Sequence, residues 1–296
     1  MIKKLCGFLL FYTVFVIVWG AWVRISHSGD GCGKSWPLCE GALFPKTLQS
    51  EVWIEYFHRV TSGLYGLFVL LILILVYRSF KKDSIIRKAA LTTFVLMMIE
   101  AALGAALVLK GLVGSNATLY RLVVMTLHQI NSLLLVGSTV VLYSLLKKSE
   151  NFNVKKLFSH KGLLALFILI PATGAWAALS NTLFPSEGIL QGLAADFNSA
   201  SPWILKLRIV HPILASSFAI YWSYYFYNLS VESTDQGLKN SSRNLSVFLV
   251  VSFLFGGLTL LNLSPIWMKL VHLTLAQGLW IFMVHYVMTS LLSTRR

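Results

Sequence analysis

Apolar residues in this chain come in long runs with few interruptions, unlike the alternating or one-faced patterns of a water-soluble fold. Eight stretches stand out, at about 5–23, 54–77, 89–109, 120–146, 162–180, 204–227, 245–263 and 267–292. About 20 apolar residues in a helix cover the roughly 30 Å of a bilayer's hydrocarbon, so each stretch predicts a transmembrane helix. Runs such as Gly63 to Tyr77 lack the two-residue alternation of a membrane barrel, and an open strand would leave its backbone groups unpaired in lipid. The predicted fold is therefore an all-α integral membrane protein with eight transmembrane helices. The opening Met1-Ile2-Lys3-Lys4, followed by Leu5 to Trp22, has the outline of a signal peptide. Its apolar run is too long for one and no small-x-small site precedes Arg24, so the segment is expected to stay as the first span.

Charge orients these helices. The 296 residues hold 25 Lys and Arg against 11 Asp and Glu, a net +14. In a soluble protein that excess would suggest a nucleic-acid partner. Here sixteen of the 25 fall at the two ends and in the segments 78–88, 147–161 and 239–243, whereas Asp30, Glu40, Glu51, Glu55, Glu187 and Asp196 fall in the alternate connections. Lys and Arg are retained on the cytoplasmic side, which predicts an even number of spans with both termini cytoplasmic in a bacterial-type cell membrane. No nucleic-acid partner is needed to explain the charge. Only 12% of the residues are charged, half the share of a soluble domain at about a quarter.

The two longest connections, roughly 24–53 and 181–203, then lie on the outer face, each after an odd-numbered span. They belong to a repeat. Gly20-Ala21-Trp22 recurs as Gly174-Ala175-Trp176, His58 as His211, Leu103-Gly104 as Phe255-Gly256, and Leu127-His128 as Val271-His272. The offsets are 154, 153, 152 and 144 residues, so the order is kept. Two four-helix halves follow, residues 1–150 and 151–296, pseudo-symmetric bundles of the same orientation that parallel repeats relate by an axis along the membrane normal.

Four of the seven histidines, His58, His128, His211 and His272, occupy repeat-equivalent places inside apolar helices. A lone intramembrane histidine is most simply a hydrogen-bonded packing residue. Two registered pairs point instead to function, because ionisable groups at membrane depth are costly. Counting along the helices puts all four in the outer half of the bilayer, with two imidazoles facing each other within each half. Zinc or copper would usually want further Cys, carboxylate or His ligands, whereas a haem iron brings four porphyrin nitrogens and needs only two axial ligands. Two bis-His haem pockets, one per half, account for the pattern. His27, His160 and His285 are read as background.

The halves differ three residues before the first histidine, where Glu55 precedes His58 and Arg208 precedes His211. An arginine there suits a haem propionate. A carboxylate would repel propionate and suits an acid/base or cation-stabilising role, or else is a solvated residue at a helix start. The first half thus reads as chemical and the second as cofactor-holding. Cys6 reads as a small core residue. Cys32 and Cys39 lie in the first outer connection, where so close a pair can be oxidised, as a structural staple or as a reactive pair. Glu100 inside the third span is open between proton handling and an interhelical hydrogen bond. Arg24, Arg59 and Arg121 at outer helix ends are open between propionate contacts and interface anchors.

The stretches Gly31-Cys32-Gly33, Trp36-Pro37-Leu38-Cys39, Phe44-Pro45, Ile54-Glu55-Tyr56-Phe57-His58-Arg59-Val60 and Leu207-Arg208-Ile209-Val210-His211-Pro212 resemble the haem A synthases of respiratory oxidase assembly, over essentially the whole chain. The resemblance implies that the second half binds haem b through His211 and His272. It implies that the first half takes haem O between His58 and His128 and oxidises a ring methyl to a formyl group through a hydroxymethyl intermediate, with Glu55 as catalytic carboxylate. Cys32 and Cys39 would form the family's outer-loop disulfide. A second cysteine pair found in some relatives is missing from the second outer connection here, so no role assigned to it applies. No dinucleotide-binding fingerprint is visible, so haem b is expected to relay electrons from an external donor to the substrate haem. Expected partners are membrane lipid and the haem O synthase that supplies the substrate, and the reading allows a homo-oligomer. Bis-His ligation leaves no site for dioxygen unless His58 or His128 dissociates, or else the oxidation proceeds by electron withdrawal.

Three rival functions remain at this stage. A membrane electron-transfer cytochrome would usually carry haems on both sides of the membrane. A haem transporter or chaperone would leave the Glu55/Arg208 asymmetry unexplained. A thiol oxidoreductase would leave the four histidines without a role.

Overall fold

A computed structural model describes residues 1–148 and 160–293 of the chain. Lys155, Lys156, Arg295 and Arg296, part of the basic segments, lie outside the described residues, as does the half boundary at 150. Among the described residues there is no β-strand, only a single bridge between Cys39 and Ala42. The helices are α1 (Ile2–Ile25), α2 (Ser50–Ser79), α3 (Ile85–Leu109), α4 (Leu119–Lys148), α5 (Lys161–Leu183), α6 (Ile189–Phe197), α7 (Trp203–Lys206), α8 (Val210–Glu232), α9 (Gln236–Leu261) and α10 (Ile266–Ser293). A 3-10 turn, Leu207–Ile209, joins α7 to α8, and together they make one span, Trp203–Glu232. Among the described residues, eight helices are long and apolar enough to cross a membrane, matching the eight stretches of the sequence. The chain is a multi-pass membrane protein. Exposed side chains such as Leu67 on α2 and Leu254 on α9 would be unfavourable in water and are at home against lipid tails.

Two differences from the apolar pattern have local causes. The seventh span begins at Gln236, nine residues before the apolar stretch, because Asp235 caps the helix: its carboxylate accepts from the Leu238 amide at 2.8 Å. The polar turns from Gln236 to Asn244 continue a helix whose apolar part alone marks the hydrocarbon. The second long connection is also not plain loop. It holds α6, in which Ile189, Leu190, Leu193 and Phe197 are exposed while Gly192 and Asp196 are buried. Nine residues cannot span a bilayer, so hydropathy over a long window passes this helix by.

The chain divides into two compact units, Met1–Tyr143 and Ser144–Arg296. In lipid there is little hydrophobic drive between helices, and packing and polar side-chain bonds hold them. In the first unit Tyr12 donates to Thr61 O at 3.1 Å and Trp19 to Ile54 O at 3.0 Å, tying α1 to α2. Asn131 donates to Leu96 O at 2.9 Å and Thr93 to Ser138 Oγ at 3.1 Å, tying α3 to α4. In the second unit Ser180 donates to Leu205 O at 3.1 Å and Ser246 to Ser223 O at 2.8 Å. In the core of that unit Phe167 packs edge to face on Phe218, Trp222 and Phe226, and Phe226 does so on Tyr286.

Candidate functional site

Each registered histidine lies six to nine residues past the start of its span, on α2, α4, α8 and α10. Each also stands against a glycine of the helix that precedes it. A Cβ placed on Gly20 would lie 2.8 Å from His58 Cε1, on Gly104 3.7 Å from His128 Cε1, on Gly174 3.1 Å from His211 Cε1, and on Gly256 2.8 Å from His272 Cε1. These glycines are the ones that mark the repeat in the sequence. The physical reason is space: an imidazole ring occupies the volume where a side chain of the neighbouring helix would stand. Sequence alone supplied the recurrence of these glycines without their partners.

The rings are half-buried, yet the Nδ1 atoms of His58, His128 and His272 are fully covered and make no hydrogen bond. His211 differs. Its Nδ1 lies 3.1 Å from Ile170 O and 3.2 Å from Thr173 Oγ1, and a carbonyl can only accept, so the proton sits on Nδ1 and the Nε2 lone pair is free. His211 and His272 have ring centroids 6.3 Å apart. Two imidazoles on one metal would stand roughly 6 Å apart, from about 2 Å of nitrogen–metal bond on each side and about 1 Å from nitrogen to centroid. The donor set of the second unit therefore fits a bis-His haem iron. In the first unit His58 and His128 lie within electrostatic reach of each other. Among the described residues no three His, Cys, Asp or Glu side chains converge on a bare ion, so these are two-ligand pairs.

The charged residues ahead of the histidines turn toward the outer connections. Glu55 is 3% exposed and engaged on both oxygens: Oε2 accepts from the Cys32 amide at 2.8 Å, and Oε1 pairs with Arg59 at 2.5 Å. Arg59 in turn donates to the carbonyls of Ser35 and Leu38. Cys32 and Cys39 form a disulfide whose residues are 0% and 1% exposed. Gly31 allows this connection to lie on α2, since a Cβ there would meet Glu51 O at 2.6 Å. The solvated helix-start reading of Glu55 does not describe it; the carboxylate is buried beneath the disulfide segment.

Arg208 does the corresponding work in the second unit with the charge reversed. It is 8% exposed, pairs through Nε with Asp196 at 2.5 Å, and donates to Ser186 Oγ at 2.8 Å and Gly192 O at 2.5 Å. Burial pushes the Asp196 carboxyl up from its ordinary value, and the Arg208 charge pulls the other way. The sequence marks Asp196 only as an acid of the outer connection and gives no sign of Ser186 or Gly192; an acid in the connection just before Arg208 is the available signal. Arg121 donates to Gly114 O and Asn116 O, both at 2.7 Å, and closes the turn between α3 and α4. Arg24, one turn beyond Gly20, donates to the Met125 thioether at 3.5 Å, and its buried Nε has no partner among the described residues. Glu100 meets Asn131, Ser132 and His128. His27 and His285 are exposed, and His160 precedes α5.

Fold and site together define a polytopic helical membrane protein with paired intramembrane histidines packed on glycines. The chain belongs to the COX15-CtaA family, described as "Cytochrome oxidase assembly protein", whose model matches residues 3–52 and 46–284. It is 31% identical over 297 residues to a protoheme IX farnesyltransferase of Thermus thermophilus, covering 98% of this chain and 49% of that one. A heme A synthase of Exiguobacterium is 29% identical over 234 residues, 76% of this chain and 73% of that one. A heme A synthase of Symbiobacterium thermophilum is 40% identical over 97 residues, 33% of this chain and 31% of that one. The chain spans about half the length of the Thermus relative it matches from end to end.

Proposed function

We propose that this chain is a haem A synthase of the cell membrane, an enzyme that oxidises a ring methyl of haem O to a formyl group through a hydroxymethyl intermediate. The observation that carries this is the 6.3 Å spacing of the His211 and His272 rings, together with a second glycine-packed histidine pair in the other unit. Two relatives of this family bear the name heme A synthase, which supports the reading. In it residues 1–150 form the substrate half and 151–296 the cofactor half, as pseudo-symmetric bundles with both termini cytoplasmic and the histidines toward the outer face.

His58 and His128 hold the substrate haem O. His211 and His272 hold haem b, which supplies one-electron transfer when bound. His211, with its proton fixed on Nδ1 by Ile170 O, presents Nε2 as a ligand without reorganisation. Arg24 offers a guanidinium whose Nε has no partner among the described residues, one turn from Gly20, and we assign it to a propionate of the substrate. Glu55 fastens the disulfide segment over the first site. For a catalytic contact its bond to the Cys32 amide or to Arg59 must open, so its first role in this reading is positioning. Arg208 likewise would have to leave Asp196 before meeting a propionate. The methyl carbon undergoes two successive hydroxylations, each taking one oxygen atom from dioxygen while the other leaves as water with two protons and two electrons from an external donor; the second hydroxylation gives a hydrate that loses water.

The Thermus relative, twice as long and named for farnesyl transfer to protohaem, contains a stretch like this whole chain. That supports an enzyme making haem O as the neighbouring partner. The test is to express the chain with a haem O source and identify the pigments of the membranes by chromatography and mass spectrometry. Haem A or its hydroxylated precursor is expected; only haem b and unchanged haem O would overturn the function. His58→Ala should abolish conversion and spare the second-half haem spectrum.

A further inference from the structure

Glu100 lies well inside α3, where a carboxylate is costly unless partnered, and nothing in the proposed reaction uses it. Its Oε2 accepts from Asn131 Nδ2 at 2.6 Å and its Oε1 accepts from the Ser132 hydroxyl. The same Oε1 lies 3.4 Å from His128 Nδ1. Asn131 and Ser132 follow His128 by about one turn of α4, so two donors hold the carboxylate against the back of the imidazole. The approach to Nδ1 is longer than the roughly 2.7–3.2 Å of an N–H···O bond and is an electrostatic contact. An acceptor oxygen there favours the tautomer with the proton on Nδ1 over the one with a lone pair, and this leaves the Nε2 lone pair available as a ligand.

The second unit does without this network. The offset that aligns Gly104 with Gly256 places Ser252 at the Glu100 position, and the offset that aligns His128 with His272 places Leu275 and Ala276 at Asn131 and Ser132. The hydroxyl of Ser252 and Nδ1 of His272 have no hydrogen-bond partner. A unit with the same glycine–histidine contacts therefore holds together without a carboxylate at this position. The two histidines of the first unit differ too: Glu100 Oε1 stands 3.4 Å behind Nδ1 of His128, while no acidic side chain pairs with His58 among the described residues and its ring rests on Gly20.

We propose that Glu100 is a positioning residue for His128, with Asn131 and Ser132 as its supports, which makes His128 the firmly held ligand of the first pocket and His58 the exchangeable one. The proposal rests on the haem reading given above. Metal-bound histidines regularly give their second N–H to a carboxylate, which fixes the ring and raises its basicity, and losing that partner typically costs about 10–100-fold in metal affinity.

The test titrates haemin into the full chain in detergent and measures affinity and midpoint potential for each equivalent bound. The unaltered chain should bind two equivalents and His128→Ala one. Glu100→Gln should weaken one equivalent by about 10–100-fold and raise its midpoint potential, because a less basic imidazole stabilises ferric iron less, while the other equivalent stays unchanged and reports an intact fold. Glu100→Asp should return most of the affinity and potential. Glu100→Gln with both equivalents as in the unaltered chain would overturn the proposal. So would equal loss of both equivalents in the Gln and Asp variants, which would mark Glu100 as structural. Fewer than two equivalents in the unaltered chain, or two in His128→Ala, would overturn the haem pockets themselves and this assignment with them.

Discussion

Adding a single methyl group at Gly20 or Gly256 should damage the histidine sites more than at any other repeat glycine. The new Cβ would stand 2.8 Å from His58 Cε1 or His272 Cε1, where ordinary contact begins at 3.4 Å, so something must retreat by about 0.6 Å. Among the described residues Nδ1 of neither ring has a hydrogen-bond partner to pin it, so the ring gives before the helix does. Overpacking of a filled site typically costs about 1–3 kcal/mol. At about 1.4 kcal/mol per tenfold, this is roughly 5- to 150-fold weaker retention of a ligated iron. Alanine also favours a helix over glycine by about 1 kcal/mol, so Gly104→Ala, with 3.7 Å of room, should be neutral or slightly stabilising. Gly174→Ala, at 3.1 Å, should fall between, with its cost in thermal stability because Ile170 O and Thr173 pin the His211 ring. Haemin titration and thermal unfolding of the four alanine variants in detergent would establish the order. Equal affinity and stability across all four, or a Gly104→Ala variant as impaired as Gly20→Ala, would refute the packing argument.

Three further predictions concern the outer connections. With both cysteines buried, the Cys32–Cys39 disulfide should resist thiol reductant in the native protein and yield only on unfolding, read by mass shift after alkylation; rapid native reduction would favour a reactive pair. Its removal by Cys32→Ser should cost about 2–3 kcal/mol of order in that segment, the entropy of a loop this short. Arg208→Leu should cost about 3–5 kcal/mol by leaving the Asp196 carboxyl buried without its partner, and adding Asp196→Leu should recover most of it. Additive losses in the double variant, measured by thermal unfolding, would show that the two residues do not act as a pair.

The spans were legible because lipid imposes a local rule: each stretch must satisfy its own backbone, and length with apolarity announces it. Where a helix left the hydrocarbon that rule went silent, as at Gln236 to Asn244 and in α6. The histidine pairs were legible because duplication in register exposes them, and the same duplication marked Gly20, Gly104, Gly174 and Gly256 without saying what they touch. Arg59 pairs with Glu55 at a spacing of four on one helix, a pattern open to sequence reading that went unused. Asp196 with Arg208 and Glu100 with Asn131 could not be read in the same way, because each pair is made between different helices.

By itself the sequence determined the eight helices, the repeat and the identity of the four histidines, because these follow from composition and order along one dimension. Only the tertiary structure decided which way the charged neighbours face. Glu55 and Arg208, both placed three residues before a histidine, turn to the outer connections, and Glu100, with no motif to announce it, stands behind His128. A buried charge takes the partner that packing brings within hydrogen-bond reach, and that partner lies on another helix or in a connection, at a separation that sequence does not encode.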